Sequence, residues 1–505
     1  MNKDSNLFEI LRHNFPADLG RPFISDGIVK KYSYAEMIQM SGRLANHLSN
    51  SGLKKGDRVA AQVKKSPEAL MVYFACVRAG LIYIPLNTGY QLPELKYFFG
   101  DARPSLIIGD PNSAEALEQL ASEVNAQFET LSADGQGSLL EGANSSSPDY
   151  DSVLCGDNDL AAILYTSGTT GRPKGAMLSH KNLSSNAQVL KQSWGWSEDD
   201  VLLHALPLFH VHGLFVACHC VMAAGASMIF LPTFNPKEVM KNLPLATVMM
   251  GVPTFYTRLL DDETFTASHC HKMRLFISGS APLLEQTHKQ FEERTGHKIL
   301  ERYGMSETSM QISNPLEGDR RAGTVGLPLP GIDVRIVDQN NVAVVTGDIG
   351  SIQVKGPNVF QGYWEMPKKT AEEFTADGYF ITGDQAKISA DGYISIVGRA
   401  KDMVISGGYN VYPKEVELVI DSIRGVAESA VFGVADRDFG EAVVAAIVTD
   451  GDSGQTLDKA AIIHAASEQL ASYKLPKTVY FVAELPRNTM GKVQKNVLRE
   501  QFAGG

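Results

Sequence analysis

Apolar and polar positions alternate along the first 320 residues in a helix-then-strand rhythm. The stretch SYAEMIQMSGRLANHLSNSGLKKGDRVAAQV (33–63) carries apolar residues at helical spacing, then a glycine stop and a turn into a strand. EALMVYFACVRAGLIYIPLN (68–87) repeats the order helix, glycine, strand. LAAILYTSG, DVLLHALPLFH, GASMIFLP, ATVMMGVP and RLFISGSAP read as further short buried strands, each ending in a loop, with helical patterns between them. That alternation predicts an α/β fold of helix-flanked, mostly parallel sheets, with ligands gathered at the C-terminal ends of the strands. From about residue 320 short alternating segments with Gly and Asp turns predict an antiparallel, barrel-like subdomain (320–400). After GRAKD (398–402), helix and strand patterns return. The expected division is a large N-terminal domain (1–400) and a small, mobile C-terminal α/β domain (401–505), hinged at Lys401.

One passage tests that reading. GLFVACHCVMAAGASMIFLP (213–232) has no charged residue and is long enough to span a membrane. His219 and two cysteines interrupt it, however, and Gly225 splits it into a helix-length and a strand-length half. A buried helix, turn and strand is therefore expected, and no membrane span. The nearby histidines and cysteines lack the spacing that sets ligands around one zinc ion.

Composition narrows the class. At 505 residues with 44% hydrophobic and 20% charged, the chain reads as a multidomain globular protein. A net charge of −11 argues against a nucleic-acid partner. The N-terminal MNKDSNLFEILRHNF shows neither signal-peptide nor transit-peptide character, and LREQFAGG carries no lipidation or peroxisomal signal. With five cysteines, an odd number, the expected compartment is the cytoplasm.

The candidate chemistry starts in ILYTSGTTGRPKGAMLSH (163–180). Thr166, Ser167, Gly168, Thr169, Thr170, Gly171 and Lys174 crowd one loop behind a strand. Glycines let a backbone curl and aim N–H and O–H donors inward, as a polyphosphate needs, and a lysine adds charge. The spacing is not that of the common nucleotide loop, and a flexible surface loop is the lesser alternative for this stretch taken alone.

Four more motifs bear on it. YGMSE (303–307), YFITGD (379–384), GRAKD (398–402) and PRNTMGK (486–492) follow YTSGTTGRPKG (165–175). In order and spacing they resemble the adenylate-forming superfamily of acyl-CoA synthetases, adenylation domains and luciferases. The likeness covers nearly the whole chain. ALPLFHVHGLF, MGVPTFYTRLL, RLFISGSAPL and LERYGMSET look like the malonyl-CoA synthetases within it.

The resemblance implies a ligase using ATP, Mg²⁺ and coenzyme A on a small carboxylic acid, through an acyl-adenylate. Malonate is the first choice of acid. Another short or medium-chain acid, or a freestanding adenylation enzyme loading a carrier protein, is the alternative. In the roles it implies, the loop holds the β- and γ-phosphates, and Glu307 with Thr166 holds Mg²⁺. Gly279, Ser280 and Ala281 with Glu301, Arg302 and Tyr303 enclose the adenine. Ser306 stands where the family usually has threonine. Asp384 and Arg399 take the ribose hydroxyls. Lys492 bridges the attacking carboxylate and the α-phosphate, and as an exposed lysine it would suit a regulatory acetyltransferase. Gly407, Gly408 and Tyr409 line the CoA path after rotation about Lys401.

For the acid, a dicarboxylate needs a cation at its far end. Arg258, five residues after Pro253, is the candidate inside an apolar helix start, although its periodicity fits an exposed outer face just as well. His210, Ser280 and Met305 complete the expected acyl pocket.

Overall fold

The computed structural model describes residues 5–27, 30–166, 173–406, 409–436, 440–450, 457–488 and 491–502. Backbone contacts divide it into two compact units, Met1–Asp333 with Lys355–Phe380, and Val334–Val354 with Ile381–Gly505. The β-rich stretch 320–400 is thereby shared between the units, and Lys401 lies inside the second.

The first unit holds two large sheets. In one, strands run in the order Gln127–Thr130, Leu106–Gly109, Arg58–Gln62, Ile82–Pro85, Leu160–Thr166, Lys174–Ser179. The first five are parallel and the last turns back antiparallel. Among the described residues the other sheet has nine strands, with six parallel ones from Pro22–Ser25 to Leu300–Met305 and antiparallel strands at its edges. Ile82–Pro85, Leu106–Gly109, Val248–Gly251 and Leu275–Ser278 are buried along their whole length, as sheets covered on both faces require. Between them, Pro67–Arg78 starts on a Ser66 cap with proline in its first turn and is buried continuously from Ala69 to Arg78. A helix apolar on every side belongs inside.

The uncharged passage folds as a buried π-helical segment His212–Ala217, a helix Cys218–Ala224 and the strand Ser227–Phe230. Gly225 closes the helix at φ +68°, a left-handed conformation open to glycine. Among the described residues no helix is long and apolar enough to cross a membrane.

The second unit carries a four-stranded sheet ordered Asp333–Val337, Gly350–Lys355, Phe380–Ile388, Ile394–Arg399, open at both edges among the described residues. A second sheet centres on the hairpin Val426–Asp436 with Gly440–Thr449. Helix Pro413–Asp421 contributes Val416 and Ile420 to the core formed with that hairpin.

Candidate active site

Thr166 ends its strand and Lys174 begins the antiparallel return strand, so the two face each other across the ladder. Thr166 Oγ1 lies 3.5 Å from the Lys174 carbonyl. Ser167, Gly168, Thr169, Thr170 and Gly171 lie outside the described residues. Lys174 is only 5% exposed. Its ammonium donates to Glu373 Oε1 at 2.8 Å and sits 3.9 Å above the Tyr363 ring. The Tyr363 hydroxyl donates to Glu373 Oε2 at 2.6 Å and reaches Glu307 Oε1 at 3.1 Å. Burial, followed by the two carboxylates, pushes the Tyr363 phenol far above its ordinary pKa, so it stays protonated. Burial alone would raise Glu373, but hydrogen bonds from Lys174 and Tyr363 outweigh it and hold the carboxyl below its usual range. Glu307 is 6% exposed, in the turn after the Leu300–Met305 strand that carries Glu301, Arg302, Tyr303 and Met305. Ser306 is half-buried beside it.

A second cluster sits where strands Val201–His204, Val248–Gly251 and Leu275–Ser278 end side by side. Gly279 and Ser280 leave the last of these, and Ser280 adopts φ +71°, a strained backbone for a residue with a side chain. Its hydroxyl lies 3.2 Å from His212 Nδ1. The His212 N–H donates to His210 Nδ1 at 3.3 Å, and His212 Nε2 is buried without a hydrogen-bond partner. Arg302 is 3% exposed, and its Nε and Nη2 are likewise buried and unpartnered. A Cβ on Gly279 would fall 2.3 Å from the Arg302 guanidinium carbon, so glycine there makes room for the arginine. Burial pushes Arg302 down to about 9, with Tyr256 and Glu301 opposing, so it stays charged at neutral pH. Burial, then Arg302, drives His212 well below its ordinary pKa, so it is neutral.

Lys65 supports this cluster from behind. Its amine donates to the His204 carbonyl at 2.9 Å and lies 3.0 Å from His204 Nδ1. His204 Nε2 lies 2.9 Å from the Gly213 carbonyl. A carbonyl only accepts, so Nε2 carries the proton and Nδ1 accepts from Lys65. The chain of contacts pins the π-helical segment that carries His212.

Arg258 is not part of this arrangement. Its helix, Pro253–Leu260, buries Tyr256 and Leu259. A residue two positions past Tyr256 stands about 200° round the helix, away from the buried face; Arg258 is exposed. The expected buried cation is thus absent at 258, and Arg302, expected only beside the adenine, is the buried one. Ala281 is half-buried in the loop that follows Ser280, and Glu301 accepts from the Leu283 N–H at 3.1 Å.

In the second unit Asp384 and Arg399 are register partners on neighbouring strands, with Arg399 Nε donating to Asp384 Oδ1 at 2.9 Å. Lys401 lies in the short 3₁₀ turn Ala400–Asp402. Gly407 and Gly408 fall outside the described residues, and Tyr409 opens the strand that pairs with Val404–Ser406. Lys492 is exposed; its N–H donates to Asn488 Oδ1, and the Asn488 N–H donates to its carbonyl.

Comparison with known proteins decides the family. The AMP-binding enzyme family matches residues 12–364, and the AMP-binding enzyme C-terminal domain matches residues 415–492. The chain belongs to the AMP-binding enzyme family. Among its relatives, a malonate–CoA ligase of Arabidopsis thaliana is 35% identical, covering 94% of this chain and 85% of the relative. The probable CoA ligase CCL8 of Humulus lupulus is 36% identical over 94% and 84%. The crystal structure of ATP-bound MatB from Rhodopseudomonas palustris superposes with a TM-score of 0.97 at 53% identity, covering 99% of each chain.

For an AMP-binding enzyme, motif reading alone passes over Tyr363, Glu373, His212 and Lys65. Tyr363 and Glu373 lie in QGYWEMPKKTAEEF, inside the stretch 320–400 expected to be β-rich and assigned no chemistry. Lys65 carries a weak signal, a lysine between a buried strand and a capped helix.

Proposed function

We propose that this enzyme is an ATP-dependent acid–CoA ligase whose acid is malonate. Malonate, ATP and coenzyme A would give malonyl-CoA, AMP and pyrophosphate through a malonyl-adenylate. The observation that carries the choice of acid is the buried Arg302, with two guanidinium nitrogens lacking partners beside the unpartnered His212 Nε2. Unpaired buried donors are costly, and a planar guanidinium matches a carboxylate. A fatty acid offers nothing to them; the distal carboxylate of a short diacid does. Ser280 and His210 edge the same cluster, and Met305, at the end of the Arg302 strand, would face the methylene.

The remaining roles follow the family likeness. Two anions, the carboxylate and the α-phosphate, must meet, so the site must neutralise charge and hold the groups in line. Thr166, Ser167, Gly168, Thr169, Thr170, Gly171 and Lys174 would cradle the outer phosphates. Glu307 and the Thr166 hydroxyl are hard oxygen donors suited to Mg²⁺, which would spread phosphate charge when bound. Gly279, Ala281, Glu301, Tyr303 and Ser306 would border the adenosine, and Asp384 with Arg399 the ribose. Lys492 would stabilise the first transition state, and rotation at Lys401 would bring Gly407, Gly408 and Tyr409 to the CoA path. The exposure of Lys492 suits an acetyltransferase. All five cysteines are buried, in keeping with a cytoplasmic home.

The test is AMP release that requires both ATP and CoA, screened over acetate, malonate, methylmalonate, succinate and octanoate. Malonate is expected to lead. Octanoate leading would overturn the choice of acid, and thioester formation only on a carrier protein would overturn the choice of acceptor.

A further inference from the structure

The lysine expected to meet ATP already has a partner. Lys174 is buried, and its ammonium is held by Glu373 Oε1 at 2.8 Å and by the face of Tyr363. A buried ion pair broken on one side leaves the other charge stranded, which is strongly unfavourable. For Lys174 to turn to a phosphate, Glu373 must therefore keep another neutralising neighbour, and it has one. Lys369 Nζ lies 3.3 Å from the same Glu373 Oε1 and 3.1 Å from Glu372 Oε2. Tyr363 also continues to donate to Glu373 Oε2, at 2.6 Å, whatever Lys174 does. That hydroxyl reaches Glu307 as well, so the phosphate-loop lysine and the expected metal carboxylate are joined through two side chains.

We propose that Glu373 is the resting counter-ion of Lys174, exchanged for polyphosphate oxygens when nucleotide binds, with Lys369 left to neutralise it. The inference rests on reading the chain as an ATP-using ligase. Glu373 does not touch the reacting atoms; it is a positioning residue that keeps the loop lysine paired and aimed until nucleotide arrives. It also sets an affinity: every polyphosphate that binds must displace a carboxylate, which favours release of pyrophosphate after the first half-reaction.

The exchange predicts effects of opposite sign from two neighbouring substitutions. Glu373→Gln removes the competitor, so calorimetric binding of pyrophosphate and of a non-hydrolysable ATP analogue should tighten roughly tenfold, the scale of one ion pair. Lys369→Met removes the substitute partner, so the same two ligands should bind several-fold more weakly. Glu373→Asp keeps the charge and should keep wild-type affinity. In a Lys174→Met background the effect of Glu373→Gln should disappear.

Weaker or unchanged binding by Glu373→Gln overturns the proposal, and so does tightening that persists without Lys174. General damage to the fold weakens binding in both variants and does not reproduce the pair of signs. Should Glu373→Gln fail to fold, Lys369→Met and Glu373→Asp carry the test. Lys369→Met binding as tightly as wild type, or Glu373→Asp binding tenfold more tightly, then overturns it. A wild-type protein that binds neither ligand overturns the ligase reading itself.

Discussion

Two arginines divide the argument about substrate. Arg258 and Arg302 both stand near apolar sequence, and only burial separates them: one is exposed, the other 3% exposed with unpartnered nitrogens. Arg302→Met should therefore lower malonate kcat/KM by about 10²–10³-fold, since stranding a buried carboxylate costs about 3–5 kcal/mol, less what entering water returns. Acetate has no second carboxylate, so its efficiency should hold or rise. Arg258→Ala, on the surface, should change either by less than about threefold. The informative measurement is the ratio of malonate to acetate efficiency in each variant; a ratio that collapses in Arg258→Ala and not in Arg302→Met would reverse the assignment. Sequence could not separate the two, because an eight-residue helix fixes its phase only by what it packs on. Glu373 was hidden for another reason. It lies 199 positions from Lys174, and no local pattern reports a pair that distant.

Strands and helices were far more legible than side-chain partners. Buried strands ending in loops, and the helix, turn and strand of 213–232, follow from apolar run length and a single glycine. The helix Pro413–Asp421 shows what pattern omits. Its Glu417 is buried, accepts from Lys495 and from the Val431 N–H, and against the pull of burial is held below its ordinary pKa. Asp421 ends the same helix, at the negative end of its dipole, and burial pushes it up to about 6. The two contribute oppositely. Glu417 stabilises above the unfolded carboxyl pKa, and that stability is lost as pH falls. The folded pKa of Asp421 exceeds its ordinary 3.8, so its contribution is full below that value and lost as pH rises through about 6. Asp421→Asn should then stabilise the second unit by on the order of 2 kcal/mol at pH 8 and hardly at pH 4. Tryptophan fluorescence is blind here, since Trp194, Trp196 and Trp364 all lie in the first unit. Amide exchange along Val426–Asp436 is the suitable readout, and an equal gain at both pH values would show that charge is not the cause.

At the scale of the whole chain, one enzyme is expected to run two reactions, and two lysines of the second unit should separate them. Lys492→Ala should slow adenylation by at least about 10²-fold, through lost transition-state stabilisation, and spare thioester formation from supplied malonyl-adenylate. Lys401→Pro, which restricts the backbone in the Ala400–Asp402 turn, should let adenylate accumulate and slow its transfer to CoA. Rapid-quench measurement of each half-reaction checks both, and equal losses in the two half-reactions would remove either role. The order of motifs carries the expectation of two steps; the limits of the compact units were not legible, because packing, not composition, draws them. Gly279 ties the proposed site to a single absent methyl. Its φ lies outside the left-handed region, and a methyl there would meet the guanidinium of Arg302 first. Every glycine codon is a single base change from an alanine codon. Room for the guanidinium proposed to receive a diacid thus rests on one missing methyl, a single base change away.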